Sequence, residues 1–194
     1  MNCLRAFVLC IAAALGACGG GGEKIEAIYQ ISAPTAPAIA GATSAQVLLP
    51  EPRALAALAS NKLPVKPTPI TLSYYPSVSL EDTAPKVMQR VMLDTFTNSG
   101  RVRAVGLPGQ SLLINYQIVT EMRAFQAETY EGNRVRIVMA AKLLNDANGR
   151  VLRDEVFTAT VPVSSDSAED AAIGLNAAAE AISRDILDWT LAII

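Results

Sequence analysis

The sequence predicts an α+β fold: a mostly antiparallel sheet with two helices packed on one face. Three observations carry that expectation. Residues 111–162 alternate apolar and polar side chains with period two, strand after strand. Two long segments, 83–98 and 167–192, place apolar residues at helical spacing. Turn residues separate these stretches, with Asn98-Ser99-Gly100 after the first helix and Asn148-Gly149 between two strands.

The first eighteen residues stand apart from that fold. Arg5 is the only charge before Cys18, and Ala6 to Leu15 form a short apolar run ending in Gly16-Ala17-Cys18. A basic start, an apolar middle and small residues at the end make an export signal. The run is shorter than the roughly 20 apolar residues that span a bilayer, so it inserts transiently. Leu15-Gly16-Ala17-Cys18 matches the lipobox of bacterial lipoproteins. There the Cys thiol receives a diacylglycerol, the peptide is cut before it, and the new amine receives a fatty acyl chain such as palmitate. Residues 1–17 are therefore expected to leave, with Cys18 as the lipidation site and 18–24 as anchor and tether. Three acyl chains hold a protein firmly, whereas one is marginal. Gly19 stands where Asp commonly marks inner-membrane retention, which favours the periplasmic face of the outer membrane.

From Ile25 onward the elements follow in order. Residues 25–31 read as a first strand and 32–44 as an irregular connection rich in Ala, Pro, Ser and Thr. Gln46 to Leu49 forms a short strand stopped by Pro50 and Pro52. Arg53 to Ser60 has helical composition for a turn or two. Pro64 to Pro69 is extended, and Ile70 to Tyr75 is a β-branched and aromatic strand. Asp82 or Thr83 caps the first helix, Pro85 suits its first turn, and Met88, Val91, Met92 and Phe96 form its apolar stripe. Arg101 to Gly106 is a short strand.

The next strand places Leu112, Ile114, Tyr116, Ile118 and Met122 on one face, opposite Asn115, Gln117, Glu121 and Arg123. Its return, Arg134 to Leu144, sets Val135, Ile137, Met139, Ala141 and Leu143 inward. Val151 to Val161 is the third strand of the run, ended by Pro162. Ser164 to Ser167 can cap the last helix, whose first turn holds Glu169 and Asp170. Its stripe is Ala168, Ala172, Leu175, Ala179, Ile182, Ile186, Trp189 and Ile193.

Composition narrows function. The chain has no His, and its three Cys are Cys3, Cys10 and Cys18. Ser-His-Asp and Cys-His catalysis and His-containing metal sites are excluded. The formal net charge is −2, and one unit more negative once Arg5 leaves. That value, without a concentrated basic patch, argues against a nucleic-acid partner. Asp82, Glu121, Glu128, Glu131, Asp154 and Glu155 are the acids available for acid/base work. Asp82 is better explained as a helix cap, and the others hold the strand-face and loop positions of solvated acids, so an enzyme is not expected and no cofactor or metal is assigned. Arg134 and Arg136 read likewise as a solvated face.

Several local sequences, in their order, carry a resemblance. These are the lipobox with Tyr29-Gln-Ile-Ser-Ala-Pro34, then Tyr74-Tyr75 with Leu80-Glu-Asp-Thr-Ala-Pro85 and the helix to Gly100. Arg101-Val-Arg-Ala-Val105, the strands from Leu112, Gly149-Arg-Val-Leu152 and the Ile186-Leu-Asp-Trp189 end follow. The chain resembles the ABC-type transport auxiliary lipoproteins of the paraquat-inducible protein C type. Glu81 stands where that family often has Trp. The resemblance implies that residues 25–194 form a single periplasmic auxiliary domain. It implies a role beside an MCE-domain periplasmic protein and an ABC permease and ATPase that move lipids or other hydrophobic molecules across the envelope. It also implies homo-oligomers. The alternative is a general envelope-assembly or structural lipoprotein of the outer membrane with no transporter partner. Tyr130 in the 128–133 loop, Trp189 and Ile193 are the candidate partner contacts.

Overall fold

The structure, a computed structural model, describes residues 24–35, 42–110 and 113–194. The leader, Cys18 and the Gly19–Gly22 tether lie outside the described residues, as do part of the 32–44 connection and Leu112. Among the described residues, nine strands and two helices alternate as α+β. The strands are β1 (Ala27–Tyr29), β2 (Gln46–Leu48), β3 (Arg53–Ala54), β4 (Lys62–Thr68), β5 (Thr71–Leu80), β6 (Ala104–Gly106), β7 (Tyr116–Glu128), β8 (Arg134–Asn145) and β9 (Val151–Pro162). The helices are α1 (Ala84–Ser99) and α2 (Ala168–Leu191).

The spine of the sheet is β7. One of its edges pairs antiparallel with β8 along its full length, and β8 pairs antiparallel with β9. Its other edge pairs parallel with three short strands in turn: β2 at Tyr116, β3 at Glu121 and β4 at Ala127. Beyond these lie β5, antiparallel to β4, then β1, and on the β2 side β6. The sheet is mostly antiparallel by length, but it is not confined to residues 111–162. Parallel partners come from far upstream, and period-two alternation cannot report them because it carries no pairing information.

The inward face of β8 is as expected: Val135, Ile137, Met139, Ala141 and Leu143 are fully buried. On β7, Ile118 and Met122 face the core, and then the register slips at Arg123. This one-residue bulge reverses the phase, so Phe125 and Ala127 face the core instead of the side Met122 would dictate. The same core takes Met88, Val91, Met92 and Phe96 from α1 and Leu175, Ala179, Ile182 and Ile186 from α2. Helix α2 packs against β8, β9 and α1, so its buried stripe is wide and includes Ala171, Ala178 and Leu187. Arg101 ties the end of α1 to α2 through a 2.6 Å ion pair with Asp188.

Capping follows the sequence at the end of α1 and at the start of α2. Gly100 takes φ 61° and stops α1, and Ser167 accepts from the Asp170 N–H at 3.1 Å to start α2. Pro85 occupies the first turn of α1. The start of α1 differs from expectation. Thr83 holds the cap position without a side-chain bond, and Asp82 Oδ1 accepts from the Thr83 N–H at 2.7 Å, one residue too early to cap.

Three local expectations also change. Arg53 and Ala54 are strand rather than helix, because the adjacent edge of β7 is open there, and only a turn at Leu55–Ala59 follows. Strand β5 continues past Tyr75 to Leu80. Pro76 is tolerated because the ladder to β4 is broken between Pro64↔Tyr74 and Lys62↔Ser79, where no N–H is required of it. The strand at 101–106 is confined to Ala104–Gly106, and the long strand starts at Tyr116, after Leu113 and Ile114.

Gly174 marks the closest approach of α2 to the sheet. A Cβ there would lie 2.4 Å from Val163 Cγ1 and 2.9 Å from Val135 Cγ2. Val135 is fully buried and cannot yield. Gly174→Ala is expected to cost about 1–3 kcal/mol through overpacking, despite the gain of about 1 kcal/mol that Ala offers a helix interior. Urea denaturation of the variant checks it; an unchanged or higher midpoint would mean that α2 can move away from Val135.

Candidate functional site

Tyr130 sits in the connection between β7 and β8, beside a cluster that reaches onto the last residues of β7. Glu128 is buried, with 1% of its side chain exposed, although sequence position marks it as a solvated acid. Arg134 Nε donates to Glu128 Oε2 at 2.9 Å, and Gln126 Nε2 donates to Oε1 at 3.0 Å. Arg136 approaches Oε1 at 4.0 Å. Arg134 also reaches Glu131 at 3.4 Å and lies 5.5 Å over the Tyr130 ring. Arg134 is thus a paired, ring-stacked side chain rather than a freely solvated one. The cluster fixes Tyr130 half-buried, with Lys66 and Arg123 on the same shallow depression.

Burial alone would raise the Glu128 pKa, but the Arg134 and Gln126 hydrogen bonds and the charges of Arg134 and Arg136 outweigh it, and the net direction is down from 4.5. A depressed folded pKa adds stability above the ordinary carboxylate value, and that stability is lost as pH falls through the folded pKa. Glu128→Gln is expected to cost about 1–3 kcal/mol at neutral pH and to flatten the loss of stability below about pH 4.5. Denaturation midpoints from pH 7 to 3 test this; parallel curves for the two proteins would refute it.

Trp189 and Ile193 lie elsewhere. Pro162 pairs with Arg134, and the Val163 N–H donates to Asn133 O at 3.0 Å, so α2 begins beside the Tyr130 loop. Trp189 is 21 residues past the Ala168 start, about 30 Å along the helix axis. Its ring meets Phe157 edge-on at 5.6 Å and 78°. Trp189 and Ile193 are half-buried against the core. The three sequence candidates therefore form two separate regions, one at each end of α2.

Sequence reasoning did not identify a third feature. A trough of about 440 Å³ crosses β3, β7, β8 and β9, with Leu55, Val119, Ala140 and Val156 among its apolar lining. Arg53, Arg123 and Lys142 bring positive charge to it, and Glu121, Asp154 and Glu155 negative charge. Glu121 is paired with Arg123 at 3.3 Å. The signal was present in the outward-facing residues of three strands, but only their register assembles it. Glu81, the departure from the family pattern, forms an ion pair with Arg90, which also donates to the Ile31 carbonyl. That contact joins the end of β5, α1 and the segment after β1.

A family model described as "ABC-type transport auxiliary lipoprotein component" matches residues 29–187. An uncharacterized protein of Bradyrhizobium diazoefficiens, bll6063, is 26% identical over 177 residues, covering 89% of this chain and 47% of that protein. The chain thus spans about half the length of this curated relative. The crystal structure of XCC0632 from Xanthomonas campestris superposes with a TM-score of 0.80 at 25% identity, covering 86% of this chain and 95% of that one. A PelC dodecamer from Paraburkholderia phytofirmans shares the fold at a TM-score of 0.50 and 15% identity, over 78% of this chain and 93% of that one.

Proposed function

Since the chain belongs to the ABC-type transport auxiliary lipoprotein component family, we propose that it serves an MCE-type transport system as its outer-membrane lipoprotein. In this reading Cys18 carries the lipid anchor and residues 25–194 form one periplasmic domain. The domain docks an MCE-domain periplasmic protein, which works with an inner-membrane permease and ATPase to carry lipids or other hydrophobic molecules. Homo-oligomers are part of the proposal. So is the placement of both helices on one face of the sheet, which would leave the trough facing outward. Tyr130, Trp189 and Ile193 are the proposed contact residues.

The observation that carries the reading is the family match over 29–187. Two facts are compatible with it. No helix among the described residues is long and apolar enough to cross a membrane. The family is named for a transport auxiliary rather than for a reaction. The test is a crosslinked pull-down from native envelopes, with Cys18→Ala as control. Recovery of an MCE-domain protein with the lipidated chain supports the proposal. Recovery of unrelated envelope proteins alone would favour a general structural lipoprotein and remove the transporter assignment.

A further inference from the structure

We infer that two copies of this chain pair antiparallel along the free edge of β9, about a two-fold axis through Asp154. This deepens the self-association proposed above and rests on that part of the reading, but not on a transporter partner.

Strand β9 is an outer strand: β8 is its only strand partner among the described residues. Alternate residues of an edge strand direct their N–H and C=O groups away from the sheet, which makes it a template for another strand. Its protection rests on the charges of Arg153, Asp154 and Glu155, which a suitable partner can pair. Between Arg153 and Val161 there is no Pro, Gly or Lys. The one bulge leaves Leu152 as an extra residue, near the start of the strand. All six residues from Val151 to Val156 are exposed, and three are large aliphatics, with Val151 at 46%, Leu152 at 40% and Val156 at 52%.

The charges on this edge select a second copy as the occupant. Pairing about Asp154 sets Arg153 opposite the partner's Glu155 and Glu155 opposite the partner's Arg153. Directly opposed residues share a face of the sheet, so both pairs are opposite-charge neighbours. Asp154 meets its own copy, but Lys142 lies beside it in register on β8 and offsets that repulsion. An interface that uses one patch on both copies closes at two. The strand edge is short, but two chains anchored on one membrane meet at high effective concentration, which favours a weak contact. Asp154, Glu155 and Val156 also line the trough, so pairing would run the two troughs together across the axis.

The test uses the full-length lipoprotein in its membrane with single introduced thiols. In an antiparallel pair directly opposed Cα atoms are about 4.5–5.5 Å apart, within disulfide reach. Asp154→Cys is expected to give a disulfide dimer under mild oxidation. Thr158→Cys would sit about 27 Å from its own copy in this register and is expected to stay monomeric. In the Asp154→Cys background, Arg153→Glu or Glu155→Arg alone should lower the dimer yield several-fold, and the two together should restore it. These side chains are exposed, so folding is not at stake. A monomer at Asp154→Cys, equal crosslinking at Thr158→Cys, or no restoration in the double variant would each overturn the inference. Such a result alongside a successful MCE pull-down would remove the β9 pairing and leave the transport role intact.

Discussion

Phe125→Ala lowers the stability of the fold by about 3–5 kcal/mol, the usual cost of truncating a fully buried aromatic. Phe125 has no exposed surface and lies in the common core. Its position depends on the bulge at Arg123, which turns it inward opposite Ile137. The ring therefore contributes packing and also holds the reversed phase of β7. With a typical domain stability of about 5–15 kcal/mol, the variant should unfold at much lower urea than the parent, with a similar slope. A loss below about 1 kcal/mol would show that the local register relaxes to refill the space.

Cys18→Ala moves the protein completely from the membrane to the soluble fraction. Each buried methylene of an acyl chain contributes about 0.8 kcal/mol, so a triacylated Cys18, as proposed, would hold the chain firmly to the membrane. Membrane retention is expected to rest on that thiol under the proposed anchoring. Fractionation of envelopes after expression of both forms reads the result. Retention of the variant at parental levels would show a second attachment and remove Cys18 as the anchor.

Local pattern made much of the fold legible. The inward faces of β8 and α2, Gly100 as the stop of α1 and Ser167 as the cap of α2 all follow from spacing and residue type. What was hidden depends on register between distant segments. Arg53 and Ala54 have no strand signature of their own and are strand because β7 offers an unpaired edge there. Pro76 reads as a stop until the ladder break beside it is known. The candidate site divides in the same way. Tyr130 was visible as an aromatic in a polar loop, whereas Glu128 looked solvated. Its burial follows from the bulge, which places Gln126 and Glu128 together on the face opposite Phe125, where Arg134 and Arg136 from β8 meet them.

The edge of β7 that takes β2, β3 and β4 in succession also shapes how the chain reaches its final state. Those partners lie more than sixty residues upstream, as Val47↔Tyr116, Arg53↔Glu121 and Val65↔Ala127 show. The β7–β8–β9 run with α2 is local by comparison and closes short loops first. Distant parallel pairings close large loops before any reward, which slows the search. The segment next to the proposed anchor is thus expected to join last. Until it does, the β7 edge is open to the wrong strand. Amide exchange should record that order, with the ladders to β2, β3 and β4 opening at lower free energy than those between β7, β8 and β9.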